Sequence, residues 1–152
     1  EELSAGLRDS LKQMRAIHSA HHVFGSKARA EVTPGARISN PESADALGQP
    51  AHPVIIKHPL SGKEALYINP GFTLRFEGWT EEESRPLLEF LYSQATKSEN
   101  ITRFKWQPGS IALWDNRATW HNAQNDYDGF RREMHRITIE GCELEPADVR
   151  CA

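Results

Sequence analysis

Apolar positions recur at three- and four-residue steps near the start of the chain, at Leu3, Leu7, Leu11 and Met14 with charged residues between them. That spacing predicts an amphipathic helix packing one stripe on the domain. It ends before His18-Ser-Ala-His-His-Val-Phe24, where three histidines fall within five residues but form no regular pattern that aims them at one centre. Residues 27–50 carry Pro34, Gly35, Pro41, Gly48 and Pro50 among small polar side chains, the composition of a loop, read either as a flap or as an insertion. From His52 the period shortens to two. Val54-Ile55-Ile56 is a β-branched run, Pro59–Lys63 is a turn with Gly62 supplying the permissive backbone, and Ala65–Asn69 returns, so the segment predicts a hairpin.

A second turn, Asn69-Pro70-Gly71, leads to Phe72 and Thr73. Thr80–Thr96 predicts a second helix with Leu87, Leu88, Leu91 and Ala95 on one side. Thr80 with Glu83 fits a capping box, whereas Ser84 as the cap would place Pro86 in the first turn; the pattern leaves both starts open. Ile101–Trp106 alternates like a half-buried strand, and Pro108-Gly109 turns the chain into a further strand-like run, Ile111–Trp114. In RREMHRITIEG, strand alternation puts Arg132, Met134, Arg136 and Thr138 on one face and His135, Ile137 and Ile139 on a face turned to the core. The two arginines then start about 13 Å apart, far enough to hold two different anions. The residues after Cys142 read as a polar, loose tail.

Composition narrows the classes. The chain has 152 residues, 38% of them hydrophobic and 26% charged, enough for one domain with a core. A net charge of −3, with no basic run longer than Arg131-Arg132, argues against nucleic acid as a partner. No apolar stretch has the length of a membrane span, and the polar opening is not a signal peptide. Cys142 and Cys151 match no metal or redox spacing, which favours a reduced, cytoplasmic setting.

Taken singly, the candidate groups in Trp114–Arg136 are unspecific. A lone histidine such as His121 is more often structural, and arginine pairs on a strand are more often solvated or salt-bridged. Asp115 and Asn116, at a strand end, read as turn-forming hydrogen-bonders. Their order is more telling. HPVIIKHPLSGKEALYINPGFTLRF, FKWQPGSIALWDNRATWHNAQNDY and RREMHRITIEG together closely resemble the C-terminal half of the taurine dioxygenase family of iron(II)- and 2-oxoglutarate-dependent oxygenases.

The resemblance implies a mainly β fold with flanking helices, a double-stranded β-helix (jelly roll). Residues 1–26 would be a helix and pocket loop, 27–50 a lid or insertion, 51–142 the β-helix strands with helix 80–96, and 143–152 the tail. It also implies Fe(II) as cofactor, 2-oxoglutarate as co-substrate, O2 and a small anionic organic substrate as partners, and a homo-oligomer. His121 looks like the distal iron-binding histidine. Arg132 matches the arginine that grips the far carboxylate of 2-oxoglutarate, and Arg136 the one that binds the substrate's anion. Phe72 matches a pocket aromatic, Phe24 lies where a pocket loop is expected, and Trp106 and Trp114 match aromatics near the metal. The implied reaction hydroxylates a taurine-like sulfonate, an alkyl sulfate or an aryloxyalkanoate, with release of succinate and CO2.

One element of the family pattern is missing. Its other iron ligands form an H-x-D or H-x-E pair upstream, and none of the seven histidines here begins one. The chain is therefore expected to correspond to the C-terminal part of such a domain, with apolar faces and sheet edges left uncovered. The alternatives are a jelly-roll module that binds a small anion without catalysis, and a structural or oligomerisation fragment.

Overall fold

The computed structural model describes residues 2–21, 48–124 and 126–147. Helix α1 spans Ala5–Lys12, capped by Ser4, whose Oγ accepts from the Leu7 N–H. Met14 falls outside it. The next residues, Arg15–His18, form strand β1, which the apolar pattern did not reveal. Strand β2 is Ala51–Pro53, β3 Ile55–Lys57, β4 Glu64–Leu66 and β5 Thr73–Phe76. Helix α2 spans Glu81–Ala95, and β6 is the short Glu145–Pro146.

The strands build two antiparallel three-stranded sheets, ordered β2-β1-β5 and β4-β3-β6. In the first, Ala16 lies opposite His52 on one side and Phe76 on the other. In the second, the expected hairpin is present, with Ile55 opposite Leu66, Lys57 opposite Glu64, and Gly62 in the left-handed region at φ +67°. The core lies between the sheets and the helices. Leu11, Val54, Ile55, Ile68, Phe76, Leu88 and Leu91 are buried together, so each element turns its apolar positions to one centre. Phe76 is fully buried and meets Trp79 edge-on at 5.4 Å. Phe76→Ala is expected to destabilise the fold by about 3–5 kcal/mol, the usual cost of such a truncation, measured as the shift of the urea midpoint.

The start of α2 is settled by Thr80. Its Oγ1 accepts from the Glu83 N–H at 3.2 Å while Glu83 Oε2 accepts from the Thr80 N–H at 2.8 Å, a complete capping box. Ser84 is not the cap. Its buried hydroxyl donates to the Thr80 carbonyl at 2.8 Å and accepts from the Phe76 N–H at 3.0 Å, tying β5 to the helix. Pro86 consequently sits inside the helix.

Three strand expectations are corrected. Residues 101–106, 111–114 and 132–139 are not in strands. Ile137 and Ile139, expected to face a core, are exposed, Ile137 at 91%, as are Ile111 and Leu113 at 90% each. A strand is held by a neighbour's hydrogen-bond ladder and by burial of one face, and these runs find neither among the described residues. The tail is corrected in the opposite direction. Glu145 and Pro146 pair with Lys57 and Ile56, so β6 is anchored on β3. Phe24, and the proposed lid as far as residue 47, lie outside the described residues. No helix among them is long and apolar enough to cross a membrane.

Candidate functional site: the turn carrying His121

The turn Asp115–Thr119 is built by its first residue. The Asp115 carbonyl accepts from the N–H groups of Ala118 at 3.2 Å and Thr119 at 3.1 Å, and from the Thr119 hydroxyl at 2.7 Å. Trp114 Nε1 donates to Asn116 Oδ1 at 2.9 Å. The reading of Asp115 and Asn116 as turn-forming hydrogen-bonders is thus borne out. Just past the turn, Trp120 packs edge-on against Tyr92 of α2 at 5.9 Å, and His121 tilts against Trp114 at 4.9 Å.

His121 is exposed, and no hydrogen bond among the described residues engages its ring nitrogens, leaving the imidazole open to a ligand. Arg132 stands over the Tyr127 ring, 5.3 Å from its centre. Arg136 is exposed without an ion pair among the described residues. The neighbouring cations are already committed: Arg131 is paired with Glu133 and Arg117 with Asp115. Phe72 is half-buried at the Asn69–Thr73 turn, its N–H donating to the Asn69 carbonyl and its own carbonyl accepting from the Ser19 N–H at 2.8 Å. Trp114 touches His121, whereas Trp106 packs on Phe104 at 4.9 Å. A surface cavity between β5 and α2 is lined by Pro70, Leu74, Arg85 and Tyr92 and includes none of His121, Arg132 and Arg136.

Iron held by two histidines and a carboxylate needs three converging donors. Among the described residues no group of three His, Cys, Asp or Glu side chains is placed to hold a metal ion. His121 suits such an ion as a single ligand; the described residues do not complete the set.

Sequence reasoning missed two clusters. In the first, the rings of His18, His52 and Tyr67 lie 5.1–5.7 Å apart where β1, β2 and the end of the hairpin meet. His18 Nε2 is buried and meets no hydrogen-bond partner among the described residues. Burial, reinforced by His52, pushes His18 down to about 4 from an ordinary 6.5, and burial with the nearby Arg15 also lowers His52. Because the folded pKa is depressed, the unfolded chain binds the proton first. Stability is then complete above pH 6.5 and falls as pH drops from 6.5 towards 4. The melting temperature is expected to be lower at pH 5 than at pH 7.5, with a smaller difference in His18→Phe, which cannot titrate. An equal difference in the variant refutes the assignment.

The second cluster joins His58, Asp115 and Arg117. Arg117 grips Asp115 through Nε to Oδ1 at 2.9 Å and Nη2 to Oδ2 at 2.6 Å, and its backbone N–H also donates to Oδ1. His58 Nε2 lies 3.0 Å from Asp115 Oδ2. Arg117 above all, then His58, holds the Asp115 carboxyl far below the usual carboxylate range.

The folds of known proteins place this arrangement in a class and then a family. The antiparallel sheets with two helices align over 77% of the chain with a taurine dioxygenase from Burkholderia xenovorans, at 35% identity and a TM-score of 0.56, covering 34% of that structure. A profile of the taurine catabolism dioxygenase TauD, TfdA family matches residues 1–138. The chain belongs to this family. An alkylsulfatase from Acinetobacter baylyi is 34% identical over 142 residues, which are 93% of this chain and 44% of that protein. An α-ketoglutarate-dependent sulfate ester dioxygenase from Pseudomonas putida is 32% identical, over 93% of this chain and 46% of its own length. An α-ketoglutarate-dependent sulfonate dioxygenase from Saccharomyces cerevisiae is 32% identical over 91% of the chain. The chain thus spans less than half the length of these relatives.

Proposed function

We propose that this chain is the C-terminal part of an Fe(II)- and 2-oxoglutarate-dependent dioxygenase that hydroxylates a small anionic organic substrate with release of succinate and CO2. In this reading His121 is one of three iron ligands, Arg132 binds the far carboxylate of 2-oxoglutarate, and Arg136 with Phe72 and Phe24 receives the substrate. The observation that carries it is the contrast among the four arginines of the Trp114–Arg136 segment. Arg117 and Arg131 are neutralised by neighbouring carboxylates, while Arg132 and Arg136, the two that match the family's anion-binding arginines, are left without carboxylate partners among the described residues.

Iron supplies oxygen activation in this family, and the chain's own residues orient the reactants. A guanidinium offers paired N–H donors to a carboxylate or sulfonate. An arginine fixing the substrate's anionic end decides which C–H bond is presented, a positioning effect. The exposed apolar runs at 111–113 and 137–139 find their cover, in this reading, in strands from the preceding part of the complete domain.

The test is 2-oxoglutarate turnover by the complete protein with sulfonates, alkyl sulfates and aryloxyalkanoates, following succinate. Succinate formation that needs both Fe(II) and one of these anions is the expected result. Small-anion binding with no succinate from any of them would favour the jelly-roll anion-binding module. The absence of a three-ligand group among the described residues is what keeps that second reading in play.

A further inference from the structure

Resting on that reading, we infer that His58, Asp115 and Arg117 form a positioning staple that sets His121 and the arginine arm from one anchor, the β3–β4 hairpin. His58 follows directly on β3 and opens the hairpin turn. Its Nδ1 accepts from the Ser61 N–H at 3.2 Å. A backbone N–H can only donate, so Nδ1 carries the lone pair, Nε2 carries the proton, and the imidazole donates to Asp115 Oδ2 at 3.0 Å. The Ser61 hydroxyl, 3.1 Å from Nδ1, completes the same tautomer.

Asp115 therefore receives four donors: His58 Nε2 and the backbone N–H, Nε and Nη2 of Arg117. With its side chain so fixed, its carbonyl holds the turn that delivers His121. The second branch runs through Arg117, whose Nη1 reaches Cys142 Sγ at 3.4 Å. Three residues later the chain joins β3 as β6, with Glu145 opposite Lys57 beside His58. The segment bearing Arg132 and Arg136 is thus held at its C-terminal end by the same hairpin that holds the His121 turn. Two sites that must keep a fixed separation share one rigid support, which gives Arg117 in the W-D-N-R motif a role distinct from anion binding.

Two readouts separate the staple from the catalytic assignment. His58→Ala in the complete protein is expected to raise amide exchange at Ala118 and Thr119 about tenfold, the effect of losing one such hydrogen bond, with no change at Ile17 in the other sheet. In the complete protein, the same substitution is expected to weaken Fe(II) binding about 10–100-fold, as outer-shell losses do, while His58→Gln, which keeps a donor, restores part of it. Unchanged exchange at both amides overturns the staple even if Fe(II) binding weakens. Faster exchange with unchanged Fe(II) affinity limits the network to folding and overturns its positioning role. If the wild-type protein binds no Fe(II), the dioxygenase reading fails, and the amide exchange still decides whether the hairpin holds the turn.

Discussion

Replacing His121 with Ala in the complete protein is expected to reduce Fe(II)-dependent succinate formation by more than about a hundredfold, because losing a ligand exceeds the 10–100-fold cost of losing an outer-shell partner. The imidazole is suited to this role by what it lacks. It is exposed, and no protein hydrogen bond among the described residues engages either ring nitrogen. Its orientation comes from Trp114 at 4.9 Å on one side and from the Asp115–Thr119 turn behind it. Since Ala also removes the Trp114 contact, His121→Gln serves as the second variant, keeping size and polarity while losing the imidazole. Both are expected to lose Fe(II) binding in an anaerobic titration while melting within a few degrees of wild type. Full turnover in either variant removes His121 from the metal centre.

How far the sequence foretold this arrangement depends on how local each determinant is. The β3–β4 hairpin was legible because its β-branched run and Gly62 turn lie within a dozen residues, and α2 because four apolar positions share one side of it. Strand β1 was not, since four residues carry no usable period. It is a strand because Ala51–Pro53 and Thr73–Phe76, far along the chain, pair with it. The opposite error arose at 111–114 and 132–139. Alternation states which face a strand would bury, yet it is silent on whether a partner strand is present to bury it against.

The site divides in the same way. Asp115 could be read as a turn former from its own short side chain, but its bond to His58 spans 57 residues and leaves no periodic trace. The ring cluster of His18, His52 and Tyr67 depends on the pairing of β1 with β2 and was equally hidden. His121, Arg132 and Arg136 were picked out by resemblance of motif order rather than by pattern. The structure adds a separate fact: of the four arginines in that segment, Arg117 and Arg131 are paired with carboxylates, whereas Arg132 and Arg136 have no carboxylate partner among the described residues.

That contrast makes Arg132→Ala the sharper test of the co-substrate assignment. In the complete protein, the 2-oxoglutarate KM is expected to rise at least about thirtyfold, the lower end of the loss when one partner of a desolvated charge pair is removed. Arg132 is pre-placed by the Tyr127 ring rather than by any carboxylate among the described residues, so binding an anion breaks no ion pair among them. Arg132→Lys keeps the charge but not the planar fork, and its KM is expected to lie between wild type and Ala. Arg136→Ala is the discriminating companion: it is expected to raise the KM for the anionic substrate and leave that for 2-oxoglutarate nearly unchanged. If Arg132→Ala leaves the 2-oxoglutarate dependence unaltered while Arg136→Ala raises it, the two arginines have been assigned in the wrong order. If neither substitution alters any KM, the arm binds no reactant and the anion-holding role fails for both.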